Sequence, residues 1–151
     1  MTGSYPRGLC CHEAGHAVVA SSFGVRVAAV MVMFTEEKGW HGETMTEGSA
    51  DHLPCEYRIT LLSAGKAAEE FFNYPADARA SLRDYGEIDS LLDRKGMRDE
   101  REARIDEGKM RARIVLEEHR EQALRLIDRL VKFGRVDDVQ FLRLMKGGDL
   151  F

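Results

Sequence analysis

The residues best suited to chemistry in this sequence are two histidines and a glutamate within five consecutive positions. His12-Glu13-Ala14-Gly15-His16 has the pattern H-E-x-x-H, and apolar residues continue behind it to Ala20. Residues four positions apart lie on one face of a helix, so His12 and His16 can direct their imidazoles at one metal ion. Glu13 flanks that face and can accept a proton from a water molecule activated there. We therefore predict one zinc ion per chain, because zinc accepts neutral imidazole and keeps a position open for water.

The alternative interpretation is that these are ordinary polar residues on an exposed helix. Leu9 and Cys10 before the motif and the stretch 18–20 after it indicate a buried helix instead. A buried histidine or glutamate without a partner is energetically costly, so this context favours a metal site. Cys10 and Cys11 are adjacent and point to different faces, and with Cys55 we expect them to be reduced thiols in a cytoplasmic protein.

Length, composition and charge indicate a single ordinary globular domain over residues 1–151. The chain is 44% hydrophobic and 32% charged, with a formal net charge of −4, which does not indicate a nucleic-acid partner. No apolar run approaches the roughly 20 residues of a membrane-spanning helix, since the longest, Val25 to Phe34, contains Arg26. The stretch from Met1 to Arg7 has neither the charge nor the apolar run of a signal peptide. We expect no membrane segment.

Periodicity predicts a mainly α-helical fold with a small β-hairpin or edge sheet. Ser4 is the predicted cap of a first helix that Gly24 ends. The β-branched run from Val25 to Phe34 predicts a strand, and the weak alternation from Trp40 to Thr46 predicts a short exposed edge strand. A largely buried helix follows, beginning near Asp51 and ending at Phe72.

The C-terminal part, about residues 99–146, is predicted to be helical and highly charged. A helix opening at Ser81 precedes it, and a long helix then runs from about Asp99 to Gly134, with an interruption predicted at Gly108. Asp137 to Met145 predicts a short last helix, and the tail 146–151 is expected to fray. The charge run is interpreted as a solvated helix face, with a partner-binding surface as the alternative.

A catalytic zinc needs a third protein ligand, and spacing alone does not identify it. The candidates are acids and histidines on elements that could pack against the first helix. They are His41, His52, Glu69, Glu70, Asp77, Asp84, Glu87 and His119.

A resemblance to a known family narrows this choice. The segments that carry it are His12 to Val19, Gly42-Glu43-Thr44-Met45, Ala64 to Glu70, Arg83-Asp84 and His119 to Leu124. Together they make residues 7–145 similar to the peptidase domain of FtsH-type ATP-dependent zinc metalloproteases. The resemblance implies a zincin-like helical domain in which Asp84 is the third ligand. It also implies that Glu69 lies near the metal, or replaces Asp84 as the ligand.

The sequence also departs from that family. Arg83 stands where the family has an asparagine before the aspartate, and residues 78–81 replace its usual T-x-G-A segment. No G-x-x-x-x-G-K-[ST] phosphate loop is present, so we expect no ATP-driven unfolding from this polypeptide. A separate ATPase or adaptor would have to supply it.

These observations predict a zinc metalloendopeptidase that cleaves flexible or unfolded polypeptides, with Glu13 as general base and residues 42–45 holding the substrate. A second interpretation is a zinc-binding, peptidase-like module with little activity of its own, which regulates or assists a separate ATPase. A third is a structural helical protein with a fortuitous motif. Oligomers are compatible with each interpretation, and a monomer or dimer is as plausible as a ring.

Overall fold

A computed structural model describes residues 4–147, and its chain is mainly α-helical with a three-stranded antiparallel sheet. The helices are α1 (Arg7–Ser22), α2 (Cys55–Phe72), α3 (Arg79–Arg94), α4 (Arg101–Glu118), α5 (Arg120–Phe133) and α6 (Asp138–Met145). The strands are β1 (Val27–Thr35), β2 (Gly39–Thr46) and β3 (Arg135–Asp137). This confirms the predicted fold class. The predictions for residues 1–3 and for the end of the tail, 148–151, lie outside the described residues.

The sheet has the order β2-β1-β3, so the apolar strand β1 is central. Val27, Val30 and Val32 of β1 are buried, as expected of β-branched residues on a covered sheet face. Strand β2 pairs with β1 in the predicted hairpin and forms one edge of the sheet. Sequence analysis missed β3, because three residues are too short to show an alternating pattern.

Helices α1 and α2 cross in very close contact through small residues. A Cβ atom added at Gly15 of α1 would lie 2.4 Å from the carbonyl oxygen of Ala64 and 2.5 Å from the Cβ of Ala68. Only glycine at this position lets the two backbones approach so closely. The crossing brings the H-E-x-x-H face of α1 against the middle of α2.

In the C-terminal part, the break in the long helix does not lie at the glycine where it was predicted. The long helix is interrupted at His119, between α4 and α5, and Gly108 lies inside α4. An added Cβ at Gly108 would be 3.2–3.3 Å from Ser63 and Ile59 of α2, so this glycine permits close helix packing. The predicted stop at Gly134 is confirmed, with a left-handed φ of 75°.

Helices α1 and α2 begin after prolines, and α6 begins after an aspartate, whereas Ser4 was predicted to cap α1. Pro6 occupies the N-cap position of α1 without a side-chain cap, so the prediction for Ser4 is wrong. Pro54 precedes α2 in the same way, three residues after the predicted start at Asp51. Asp137 caps α6 in a reciprocal capping box with Gln140.

One continuous apolar core joins α1 and the sheet to α5 and α6. A smaller cluster, which includes Ile88 and Leu92 of α3, packs α3 against α2. Within residues 4–147, no helix is both long enough and apolar enough to cross a bilayer.

Candidate metal centre

Three side chains from two helices converge at the crossing of α1 and α2. The Nε2 atoms of His12 and His16 on α1 lie 3.2 Å apart. Asp84 on α3 brings its Oδ2 to 3.2 Å from Nε2 of His12 and 3.1 Å from Nε2 of His16. The three atoms form a nearly equilateral triangle, and these residues could hold a metal ion.

The outer nitrogens of both imidazoles are fixed by oxygen acceptors. Nδ1 of His16 donates to the backbone carbonyl of Leu61 at 2.9 Å. Nδ1 of His12 donates to Oε2 of Glu69 at 2.7 Å, and that carboxylate is itself held by the backbone N–H of Ala76 at 2.8 Å. In the neutral imidazoles, Nε2 therefore carries the lone pair and faces the centre of the triangle.

This arrangement places two nitrogen lone pairs and a carboxylate oxygen against one another. Such a group is repulsive unless a proton or a metal ion lies between its members. Burial by itself would lower the pKa of His12, but hydrogen bonds to Asp84 and Glu69 outweigh burial and raise that pKa to about 9. Burial would raise the pKa of Asp84, but hydrogen bonds to the two histidines lower it to about 2. The carboxylates around the two imidazoles thus favour a bound proton or cation at this point.

Gly65 of α2 provides the space that the two imidazoles occupy. An added Cβ there would lie 2.4 Å from Cε1 of His12 and 2.6 Å from Nε2 of His16. Because hydrogen bonds at Nδ1 hold both rings, neither ring can turn aside freely. Sequence analysis gave Gly65 no role of its own, since a glycine inside a helix shows its purpose only when the facing helix is known.

Glu13 lies in the same cleft and is held there by β2. The Oγ1 of Thr44 donates to Oε1 of Glu13 at 2.8 Å, and it also lies 3.0 Å from the backbone carbonyl of Glu13. A Cβ added at Gly42 would come within 2.8 Å of Oε2, so glycine lets β2 lie directly on this carboxylate. The charge of Glu13 contributes to raising the pKa of both His12 and His16, as a nearby anion should. Glu13 is only 6% exposed.

A cleft of about 1080 Å³ runs past this group, between α1, β2, α2 and α3. Gly42, Glu43 and Thr44 line the cleft, whereas Met45 faces away from it and is exposed. In the register of the sheet, Gly42 is opposite Val32, whose backbone N–H donates to Gly134 beside β3. Gly42 must therefore direct its own N–H and C=O away from β1, towards the outer edge of β2. No other strand of the described chain pairs with that edge.

The remaining candidates for the third ligand are engaged elsewhere. His41 contacts the backbone carbonyl of Gly39 within β2, and His52 contacts that of Ser49 in the loop before α2. His119 lies between α4 and α5. Glu70 pairs with Lys109, Asp77 with Arg79, and Glu87 with Arg83. Within residues 4–147, the only group of three or more such side chains that could hold a metal is His12, His16 and Asp84.

Cys10 and Cys11 are fully buried, and Cys55 is partly buried, all three as free cysteines. Burial raises the pKa of Cys10 and Cys11 to about 12. Both remain thiols at neutral pH, and a thiol is a poor metal ligand. No cysteine belongs to the group in residues 4–147 that could hold a metal ion.

Comparison of the sequence with models of known protein families finds no match, and comparison with curated proteins finds none either. The function therefore has to be argued from the chemistry of this site.

Proposed function

We propose that this chain is a zinc-dependent metalloendopeptidase. The observation that carries the proposal is the convergence of His12, His16 and Asp84 beside the carboxylate of Glu13, in a cleft walled by an unpaired strand edge. Two imidazoles, one carboxylate and an adjacent base are the donor set of catalytic zinc sites that hydrolyse amides. The resemblance of the sequence to FtsH-type peptidase domains points to the same chemistry.

The spacing of the three donor atoms supports zinc. Zinc binds histidine nitrogen at about 2.0–2.1 Å and carboxylate oxygen at about 2.0–2.2 Å, so tetrahedral ligands lie about 3.3 Å apart. The separations here are 3.1–3.2 Å. Glu69 adds the carboxylate–histidine contact that fixes ring orientation and raises ligand basicity in many zinc sites. Magnesium and calcium would favour an all-oxygen site instead.

The roles of the chain's own residues follow from their positions. A zinc ion held here would polarise the scissile carbonyl and lower the pKa of a water molecule. Glu13 takes the proton of that water and delivers it to the leaving amine nitrogen, so the carboxylate is regenerated after each cycle. Thr44 holds Oε1 of Glu13 and leaves Oε2 at the wall of the cleft, directed by Gly42.

The outer edge of β2 is the proposed docking strand for the substrate. Trp40, Gly42 and Thr44 alternate with the residues of β2 that hydrogen-bond to β1, so their own backbone N–H and C=O groups face this edge. An extended peptide could add there as a further strand, which would recognise main chain in many sequences. Thr44→Pro removes one edge N–H and should raise KM more than Thr44→Val, which removes only the hydroxyl. Equal KM values for the two variants would contradict the docking model.

The experiment that tests the function is hydrolysis of a mixed library of quenched fluorescent peptides by zinc-loaded protein. Glu13→Gln should lower kcat by about 10²–10⁴-fold, the usual contribution of a general base, while zinc content stays at one ion per chain. Glu118→Gln at the end of α4 is the matched control and should cleave like the parent. Chelation should abolish cleavage, and zinc should restore it.

The same experiment distinguishes the alternative of a zinc-binding module that serves a separate ATPase. Stoichiometric zinc without cleavage of any peptide, in parent and Glu13→Gln protein alike, would assign that role. Protein that binds no zinc would overturn both.

A further inference from the structure

The cleft continues into a second hollow that is rich in arginine. This arginine hollow has a volume of about 340 Å³ and lies between one face of α2 and one face of α3. Its walls include Arg58, Arg83, Gly86, Glu87 and Arg94. Arg58, Arg83 and Glu87 also line the cleft that contains the candidate metal ligands, so the two spaces adjoin.

The charge of the arginine hollow is opposite to that of the whole chain. Three arginines and one glutamate give its walls a net charge of +2, whereas the chain carries −4. The guanidinium of Arg83 pairs with the carboxylate of Glu87 at 3.4 Å, and the Arg83 side chain is 86% exposed. Arg94 forms no ion pair with any side chain in residues 4–147. Arg58 pairs with Asp51 at 3.2 Å, so Arg94 is the guanidinium available to a carboxylate that enters from the cleft.

Gly86 is an exposed residue of the arginine hollow and adds no side chain to its wall. It lies in the middle of α3, where glycine is less favourable than alanine by about 1 kcal/mol. An added Cβ would meet no atom within 4 Å, so no packing contact requires glycine there. The backbone conformation does not require it either, because its φ is not positive. The absence of a side chain at Gly86 leaves space between the arginines.

The distance from the metal ligands to the arginine hollow suits a peptide substrate. Along α3, the arginine hollow extends from Gly86 to Arg94, which follow Asp84 by two and ten residues, or about 3 Å and 15 Å of helix axis. An extended peptide advances about 3.3 Å per residue. A residue about one to five positions from the scissile bond would thus reach the hollow, and Arg94 lies at its far end.

We propose that the arginine hollow binds a carboxylate of the substrate, so that the enzyme selects peptides with an acidic group within about five residues of the scissile bond. This inference rests on the proposed peptidase function and names its substrate class. The carboxylate could belong to a glutamate or aspartate side chain or to the C-terminus of the peptide. Both offer the same two oxygens to a guanidinium.

The test uses matched peptides that differ only in a glutamate or glutamine at each of about five positions on either side of the bond cleaved. One set has an amidated C-terminus and a second set a free carboxylate, which separates the two sources. Turnover is measured as kcat/KM with zinc-loaded protein. Binding is measured separately by fluorescence anisotropy on zinc-loaded Glu13→Gln protein, so that it does not depend on turnover.

We expect an acidic group at one position to improve both readouts by about tenfold, the effect of one charge-assisted hydrogen bond. Arg94→Gln, which removes the charge, and Gly86→Leu, which fills the space, should each reduce that preference to below about threefold. Arg143→Gln on α6 removes the same charge far from the cleft and is the control. A preference confined to free C-termini would assign the C-terminal carboxylate as the ligand.

The outcomes separate this inference from the function on which it rests. Hydrolysis without any acidic preference would overturn the inference and leave the peptidase function intact. A binding preference that Arg94→Gln and Gly86→Leu remove, in a protein that cleaves nothing, would support the carboxylate site and overturn the peptidase function. A preference that survives both variants would show that the arginine hollow is not its source.

Discussion

Two regions of this molecule pack helices with opposite kinds of residue. At the metal centre, α1 and α2 meet through Gly15, Gly65 and Ala68, and the buried groups between them are polar. At the other end, α5 and α6 cover the sheet with large aliphatic and aromatic side chains such as Leu130 and Phe141, which are fully buried. The first region has no room for even one added Cβ at Gly15 or Gly65. The second buries large apolar side chains.

This difference separates the sources of precision and of stability. Small residues bury little apolar surface, so the crossing of α1 and α2 contributes less to the free energy of folding than its central place suggests. Its function is to leave room for two imidazoles and to aim them. Substitutions at the candidate metal centre should therefore lower zinc affinity, whereas substitutions under α5 and α6 should lower the free energy of unfolding.

The largest effect is expected for Gly65→Ala. The added Cβ would lie 2.4–2.6 Å from the two imidazoles, so the rings must move away from Asp84. We expect zinc affinity to fall by about 100-fold or more, while the helix itself gains from replacing glycine. Zinc affinity is measured by competition with a chelating dye, and stability by urea unfolding of metal-free protein. A variant that unfolds more easily but binds zinc normally would contradict this division of roles.

The complementary variant is Leu144→Ala on α6. Leu144 is fully buried, and α6 packs on α5, β1 and β3 rather than on the metal centre. Loss of its side chain should lower the free energy of unfolding by about 2–5 kcal/mol because it leaves a cavity. Below the unfolding transition, zinc affinity should stay within about threefold of the parent. A larger change in affinity would mean that the core beneath α6 helps to position the ligands.

The apolar core and the candidate metal centre also differ in how well the sequence predicts them. Hydrophobic periodicity depends on large apolar residues, and it predicted the helices around the core and the hairpin to within a few residues. The break at His119 and the strand β3 depend on tertiary packing, which overrode the signal expected at Gly108. At the candidate metal centre, H-E-x-x-H predicted two ligands, and spacing alone left the third open. The family resemblance implied Asp84, and the packing of α3 brings its carboxylate to both imidazoles.

A smaller effect is expected for Glu69→Gln. The amide can still accept the hydrogen bond from Nδ1 of His12, but it carries no charge to increase the basicity of that imidazole. We expect zinc affinity to fall by about 10-fold to 100-fold, less than for Gly65→Ala. Glu70→Gln is a close control, since the next residue pairs with Lys109 at the surface. Equal affinities for the two variants would mean that Glu69 has no effect on the metal centre.

The smallest effect is a pH dependence that should differ between the metal-free and zinc-loaded protein. Without metal, the raised pKa of His12, about 9 against 6.5, adds stability that is complete below pH 6.5 and lost as the pH rises through 9. The lowered pKa of Asp84, about 2 against 3.8, adds stability that is complete above pH 3.8 and lost as the pH falls through 2. Metal-free protein should therefore be stabilised most by this site between about pH 4 and 6.5.

Zinc should offset the loss of stability that the metal-free protein shows as the pH rises above about 6.5. Zinc competes with the protons at His12 and His16, so the rise in Tm on adding zinc should grow from pH 6 to pH 9. Melting curves in chelator and in zinc, recorded at each pH, measure that difference directly. The Gly65→Ala protein should show almost no difference at any pH, whereas Leu144→Ala should melt lower throughout and keep the full difference. A zinc effect that is flat with pH in the parent would mean that metal and protons do not share these nitrogens.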